Sequence, residues 1–183
     1  MKRYTQQEII RGCKKQDPLY QKALVVQYSG LLMSIGQRYT RDSEATKDIL
    51  QEGLIKILKA LPSYEEQGSF EAWMKRIVIN TALKTFDKSS FRNELYTIDD
   101  LPETAVDPSV YSNLAANELI SIINQLPETY KTIFNLHAIE GYSHKEISEM
   151  IGIEESTSRS QLTRARGMLK KYLYKQEKIR LRI

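Results

Sequence analysis

The stretch Gly141–Arg166, GYSHKEISEMIGIEESTSRSQLTRAR, decides the fold of the C-terminal part of the chain. Ser143 and Glu146 have the spacing of a capping box, which marks the start of a helix. Gly152 then follows about two turns later and predicts where that helix ends. The stretch therefore predicts two short helices joined by a tight turn.

The second helix of this pair has one apolar face and one polar face. Its periodicity turns Leu162, Ala165 and Leu169 inward. The side chains on or beside the outer face are short or basic: Ser156, Thr157, Arg159, Ser160, Thr163, Arg164 and Arg166. Such side chains let a helix enter the major groove and contact base edges and phosphates. The pattern predicts a DNA-binding helix-turn-helix, and a plain helical hairpin with a solvated face is the alternative.

Three side chains in the second helix do not follow this simple pattern. Glu154 and Glu155 favour the helix dipole at the N-terminus but repel a phosphate there. Ser158 places a hydroxyl on the inner face, where an apolar group is favoured. These side chains weaken the helix-turn-helix interpretation.

Composition limits the class of protein. The chain has 183 residues, of which 41% are hydrophobic, which is enough for one domain or two small ones. Its single cysteine, Cys13, permits neither an internal disulfide nor a cysteine-based zinc site. The N-terminus lacks the apolar core of a secretory signal, and no run of about 18 apolar residues occurs. We expect a cytoplasmic protein without membrane insertion.

Charge is distributed unevenly along the chain. From Ser156 to the C-terminus nine lysines and arginines stand against Glu177 alone, a net charge of +8. Because the whole chain carries +4, the preceding residues carry −4. A basic end on an acidic body suits one surface on nucleic acid and another on a different partner. A solvated basic tail would give the same pattern.

Helical periodicity covers the N-terminal half. Thr5 and Glu8 have the form of a capping box for a short first helix. The second helix has an apolar stripe of Tyr20, Leu24, Tyr28, Leu31, Leu32, Ile35 and Tyr39. The third, with Ser43 as its expected cap, turns inward Ile49, Leu50, Leu54, Ile57, Leu58 and Leu61. The fourth shares one face among Phe70, Trp73, Met74, Ile77 and Thr81. The expected fold class is all-α.

The periodicity fades in the middle of the chain. Acidic residues and prolines accumulate between 88 and 113, which is typical of a linker. Helical pattern returns afterwards and continues to the basic end. We therefore expect a first helical domain at 1–87, an acidic linker at 88–113, a second helical domain at 114–175 and a basic tail at 176–183.

Two polar surfaces stand out in the first half. Asp48, Gln51 and Glu52 lie outside the apolar stripe of the third helix and form an acidic ridge. Such a ridge can pair with basic residues on a partner, although an ordinary solvated face is the alternative. Opposite the inner face of the fourth helix lie Lys75, Arg76, Asn80 and Lys84. Cations of this kind can follow a single strand, and an amide can bind the polar edge of an exposed base.

These segments, in this order, resemble the extracytoplasmic-function (ECF) bacterial RNA polymerase sigma factors of the sigma-70 superfamily. The segment from Leu126 to Leu169 resembles region 4, which binds the minus-35 promoter element. DILQEGLIKILK resembles the helix of region 2 that binds the polymerase clamp, and GSFEAWMKRIVINTAL resembles the part that opens and recognises the minus-10 element. The loop with Tyr64 and Gln67 resembles the loop that receives a flipped base.

The resemblance implies a set of partners. These are core RNA polymerase, bound through the acidic ridge, promoter DNA and an anti-sigma protein. It implies no cofactor and no small-molecule substrate. The predicted function is promoter-specific transcription initiation, with transcription regulation through the anti-sigma protein.

Two other classes of protein were weighed. A stand-alone helix-turn-helix regulator would bind duplex DNA without polymerase and use the first domain to sense a ligand or to dimerise. An enzyme is poorly supported, since no nucleophile motif or phosphate-binding glycine loop occurs. The two histidines, His137 and His144, lack metal-ligand partners in the sequence. We expect His137 to be half-buried and His144 to lie on the surface.

Overall fold

The computed structural model describes residues 3–40, 42–85 and 116–180, and all regular elements in these ranges are helical. This confirms the all-α fold class. The chain divides into two compact units, Met1–Thr85 and Phe86–Ile183. The predicted linker, residues 88–113, lies outside the described residues. The last helix extends to Arg180, so that residues 176–180 of the predicted tail are helical.

Four helices and one short turn form the first unit. They are α1 (Gln6–Lys14), α2 (Pro18–Tyr39), α3 (Ser43–Ala60), a 3-10 turn (Leu61–Ser63) and α4 (Phe70–Thr85). The helices pack around one apolar centre, to which α2, α3 and α4 each contribute their predicted stripe. Its fully buried members include Leu24, Leu32, Ile35, Ile57, Phe70 and Met74.

Local sequence sets the starts of these helices. The capping box of Thr5 and Glu8 is present at α1, with Thr5 N donating to a Glu8 carboxylate oxygen at 2.7 Å. The cap of α3 is Asp42 rather than Ser43, because the Asp42 carboxylate accepts the Glu44 N–H at 3.0 Å. Our expectation was one residue late, since aspartate and serine are both good caps and stand side by side.

The described part of the second unit, residues 116–180, contains four helices and a π-helical turn. They are α5 (Ala116–Ile123), α6 (Glu128–Phe134), the π-helical turn (Asn135–Ile139), α7 (His144–Ile151) and α8 (Glu155–Arg180). A core joins α5, the Leu126 turn and α6 to α8. Its buried members are Ile122, Ile123, Leu126, Tyr130, Ala165, Leu169 and Leu173.

The turn between α7 and α8 is the one that the sequence predicts. The capping box of Ser143 and Glu146 opens α7, and Gly152 closes it in the left-handed conformation with φ of 72°. The N–H groups of Gly152 and Ile153 both donate to Ser148 O, at 2.9 and 3.2 Å. A glycine is favoured here because a Cβ in this conformation approaches the backbone carbonyl. The result is a helix pair with the N-terminus of α8 set against α7.

Candidate nucleic-acid and polymerase surfaces

The N-terminal half of α8 separates polar from buried side chains as the periodicity predicts. Leu162, Ala165 and Leu169 are at most 5% exposed. The predicted DNA-contacting residues lie on the other side, where all are exposed except the half-buried Thr157: Ser156, Thr157, Arg159, Ser160, Thr163, Arg164 and Arg166. The first half of α8 thus presents hydroxyls and guanidinium groups together on one outer surface, which we call the α8 surface.

Several groups of the α8 surface already have partners within the helix. Arg159 forms an ion pair with Glu155, one turn earlier. Ser160 Oγ donates to Thr157 O at 3.0 Å, and Thr163 Oγ1 donates to Arg159 O at 3.2 Å. These local bonds use the hydroxyl protons, so a phosphate that binds here would have to replace the backbone carbonyl as acceptor.

Ser158 shows how the inner face accommodates a hydroxyl. Its side chain is fully buried, and a hydrogen bond of 2.9 Å joins Ser158 Oγ to His144 Nδ1. The His144 ring stacks on the His137 ring with centroids 4.4 Å apart. Burial lowers the pKa of His144, and the charges of His137 and Arg159 lower it further. His144 is therefore half-buried and bonded, which corrects our expectation of a surface residue.

The acidic ridge of α3 is fully exposed. Asp48, Gln51 and Glu52 all face solvent, and the side chain of Ile55 on the same helix is 52% exposed. Lys56 Nζ lies 2.5 Å from a Glu52 carboxylate oxygen and also donates to Thr81 Oγ1 of α4 at 3.1 Å. The hydrogen bond and charge of Lys56 lower the pKa of Glu52. The ridge is consequently an exposed acidic surface with an apolar side chain beside it.

The polar side chains of α4 lie on its outer side. Arg76, Asn80 and Lys84 are exposed and Lys75 is half-buried. Lys84 also lowers the pKa of Glu52 through its charge. The cationic side of α4 therefore comes close enough to the acidic ridge of α3 for the two surfaces to influence each other electrostatically.

The two candidate residues of the loop before α4 differ in exposure. Gln67 is exposed, and its amide donates to Glu65 at 3.0 Å. Tyr64 is only 7% exposed, with its ring 4.6 Å from Trp73 and 5.4 Å from Phe70. Trp73 is half-buried in this aromatic cluster, in agreement with a packing role. In this conformation Tyr64 shapes the base of the loop, while Gln67 is accessible.

An ion pair that sequence reasoning missed fixes the same loop. Glu66 has a positive φ of 60°, which is uncommon for a residue other than glycine. Lys14 Nζ, from the end of α1, lies 2.9 Å from its carboxylate and 6.0 Å from the Tyr64 ring centroid. The hydrogen bond and charge of Lys14 lower the pKa of Glu66. No local sequence signal connects two residues so far apart in the chain.

Among the described residues no group of three or more His, Cys, Asp or Glu could hold a metal ion. None of the described helices combines the length and apolar character needed to cross a membrane. Burial raises the pKa of the Cys13 thiol to about 11.

Comparison with known proteins relates both halves of the chain to one family. Residues 24–92 match the model of sigma-70 region 2, and residues 116–169 match that of sigma-70 region 4. The chain is 29% identical over 181 residues to the ECF RNA polymerase sigma-E factor of Haemophilus influenzae, covering 90% of this chain and 93% of the relative. It is 30% identical to the RNA polymerase sigma factor SigZ of Bacillus subtilis, over 72% of this chain and 74% of that protein.

A solved structure shows the same fold. The sigma factor RpoE of Bartonella quintana, crystallised with the anti-sigma factor NepR, matches with a TM-score of 0.52 at 20% identity. The match covers 84% of this chain and 96% of that one. The chain thus belongs to the sigma-70 family of RNA polymerase sigma factors. Within that family it is an ECF sigma factor, whose function is promoter-specific transcription initiation.

Proposed function

We propose that the two units bind three different surfaces of the initiation complex. The acidic ridge of α3, Asp48, Gln51 and Glu52, binds core RNA polymerase. The outer side of α4 and the loop before it bind the opened minus-10 element through Gln67, Lys75, Arg76, Asn80 and Lys84, with Tyr64 supporting the loop. The α8 surface binds the minus-35 duplex.

The observation that carries this assignment is the division of α8 into two sides. Arg159, Thr163 and Arg164 are exposed on one side, while Leu162 and Ala165 are buried on the other. A recognition helix needs this division, because it must hold its place in the protein and still reach base edges. The helix pair with its tight Gly152 turn supplies the remaining geometry.

The experiment that tests the whole proposal is a reconstitution. Purified protein is added to bacterial core RNA polymerase with genomic DNA of its host, and transcript 5′ ends are sequenced. We expect discrete start sites that share two upstream motifs about two duplex turns apart. Sequence-specific duplex binding without any polymerase association would instead make the chain a stand-alone regulator.

Variants of α8 test the minus-35 assignment. Arg159→Ala and Arg164→Ala should each weaken binding to the recovered upstream motif by about 1–3 kcal/mol if the guanidinium reaches a base edge. Lys171→Ala is the matched control, since it removes the same charge from an exposed residue about 18 Å along the helix from Arg159 and about 11 Å from Arg164. An equal loss for Lys171→Ala would show that only net charge matters. Polymerase affinity should stay close to wild type in all three variants.

Variants of α3 test the polymerase assignment. Glu52→Lys should weaken binding to core polymerase in the absence of DNA, and Glu52→Gln should do so less, because reversal adds repulsion to the lost attraction. Glu71→Lys makes the same charge change at an exposed position on α4 and serves as control. Unchanged polymerase affinity of Glu52→Lys would remove α3 from the interface.

An anti-sigma protein is part of the same proposal. Support comes from the relative of Bartonella quintana that was solved with an anti-sigma factor. Such a partner would mask the ridge of α3 or the α8 surface. A candidate anti-sigma protein of the host should therefore prevent the reconstituted chain from joining polymerase, and a complex that still joined polymerase and initiated transcription would contradict this role.

A further inference from the structure

A series of side-chain contacts connects three segments of the second unit. The ring of His137, in the π-helical turn after α6, bonds through Nδ1 to Tyr142 O at 2.8 Å. It stacks on the ring of His144, the first residue of α7, at 4.4 Å with 20° between the ring planes. His144 then bonds to Ser158, in the first turn of α8, at 2.9 Å. The contacts run from the segment before the helix pair into α8 itself.

The position of Ser158 makes these contacts important for the orientation of α8. Ser158 is fully buried, while the adjacent Arg159 has a side chain that is 63% exposed. Neighbouring residues on a helix are about 100° apart, so whatever holds Ser158 also sets the direction of Arg159. Leu162 and Ala165, on the same inner face of α8, are held by apolar packing. At the N-terminal end of α8, the hydrogen bond between Ser158 and His144 replaces such apolar packing.

We propose that His144 is a positioning residue for promoter recognition: stacked on His137 and bonded to Ser158, it holds the start of α8 in its DNA-binding orientation, and acidification weakens duplex binding by disrupting the stack. This inference rests on the proposed role of the α8 surface. His137 and Ser158 act with His144 as its two contacts.

The surroundings of His144 explain the direction of the effect. The groups that act on it are His137, Arg159 and Arg166, which oppose a positive charge, and Glu155, which favours one. Its place at the N-terminus of α7 adds the positive end of the helix dipole. The charge of His137 opposes a proton on His144, and the two ring centroids are 4.4 Å apart. The hydrogen bond to Ser158 survives protonation, so the stack on His137 is the contact that acid weakens.

The sign of the linkage follows from these interactions. Burial, the charge of His137 and the charge of Arg159 hold the pKa of His144 below its ordinary value in the folded chain. The unfolded chain therefore binds the proton more readily, and stability rises with pH in this range. The stability that neutral His144 contributes is complete above the ordinary histidine pKa of about 6.5. It is lost as the pH falls through the lowered pKa of His144 in the folded chain.

The test combines duplex binding with direct titration of the two histidines. The full chain and its variants are titrated with a labelled 30-base-pair duplex of mixed sequence between pH 5.5 and 7.5 at constant salt. Added positive charge alone would tighten binding at low pH. We instead expect wild-type affinity to fall by about three- to tenfold on acidification, because the DNA-binding arrangement disfavours a proton on His144. His144→Gln, which cannot titrate, should lose this fall.

Proton NMR of the two histidine rings provides the second readout. We expect the His144 resonance to titrate below its ordinary range, and its titration to move upward in His137→Gln, where the charge of His137 is absent. Circular dichroism at pH 7.5 verifies that the variants are folded. Wild-type binding that is equal or tighter at pH 5.5, or a His144 titration that His137→Gln leaves unchanged, would overturn the inference. Absence of duplex binding at every pH, with the coupled titration intact, would instead count against the α8 surface as a DNA site.

Discussion

Replacing Gly12 by alanine tests the closest helix contact of the first unit. A Cβ on Gly12 would lie 2.1 Å from Tyr20 Cγ and 2.2 Å from Tyr20 Cδ2, whereas carbon atoms in contact are about 3.5–4.0 Å apart. The Tyr20 ring, which also stacks on Tyr4 at 5.0 Å, would have to move away with α2 or lose its place. Overpacking of this kind costs about 1–3 kcal/mol, and better helix propensity returns at most about 1 kcal/mol. We expect Gly12→Ala to destabilise the first unit by about 1–2 kcal/mol.

The single tryptophan gives this prediction a selective assay. Trp73 stacks between Tyr64 and Phe70, so its fluorescence during urea unfolding of the full chain reports on the first unit. With a urea dependence of about 1–2 kcal/mol per M, the midpoint should fall by roughly 1 M. Gly30→Ala is the matched control, because Gly30 is exposed in α2 and a Cβ there meets nothing within 4 Å. A Gly12→Ala midpoint at or above that of the wild type would refute the reasoning.

Three further predictions concern the cysteine, the turn and the phosphate contacts. Cys13 is 2% exposed with a pKa raised to about 11, so iodoacetamide at pH 8 should label the native chain far more slowly than the urea-unfolded chain; rapid native labelling by intact mass would contradict this. Gly152→Ala should lower the stability of the second unit by about 1 kcal/mol in thermal melts, whereas Gly167→Ala in α8 should not. Arg164→Ala should reduce the salt dependence of duplex binding by about one unit of log–log slope, and an unchanged slope would exclude a phosphate contact.

Much of the fold follows from sequence patterns because the helices are amphipathic and well capped. The stripes of α2 and α4, the capping boxes at Thr5 and Ser143, and the Gly152 turn all depend on residues within a few positions of one another. The one wrong cap arose where Asp42 and Ser43 compete locally. Features that depend on residues close together in the sequence could therefore be predicted from it.

The contacts between distant residues could not be predicted in this way. A buried hydroxyl at Ser158 must find a partner, yet nothing in the sequence selects His144 as that partner. Lys131 is another example, because a lysine is ordinarily expected at the surface. Its side chain is fully buried, and Nζ lies 3.5 Å from a Glu128 carboxylate oxygen. Such pairings depend on how helices are placed against one another, which periodicity does not specify.

The ion pair between Arg159 and Glu155 has a consequence for the time spent on DNA that is not a promoter. To contact DNA, the guanidinium must exchange its carboxylate for a phosphate or a base edge. A phosphate has the same charge as the carboxylate, so this exchange gains little on random sequence. A guanine offers two acceptors in the geometry of the guanidinium. If the α8 surface binds DNA as proposed, the Glu155 carboxylate is an internal competitor that shortens residence on random sequence and lets the search for promoters continue.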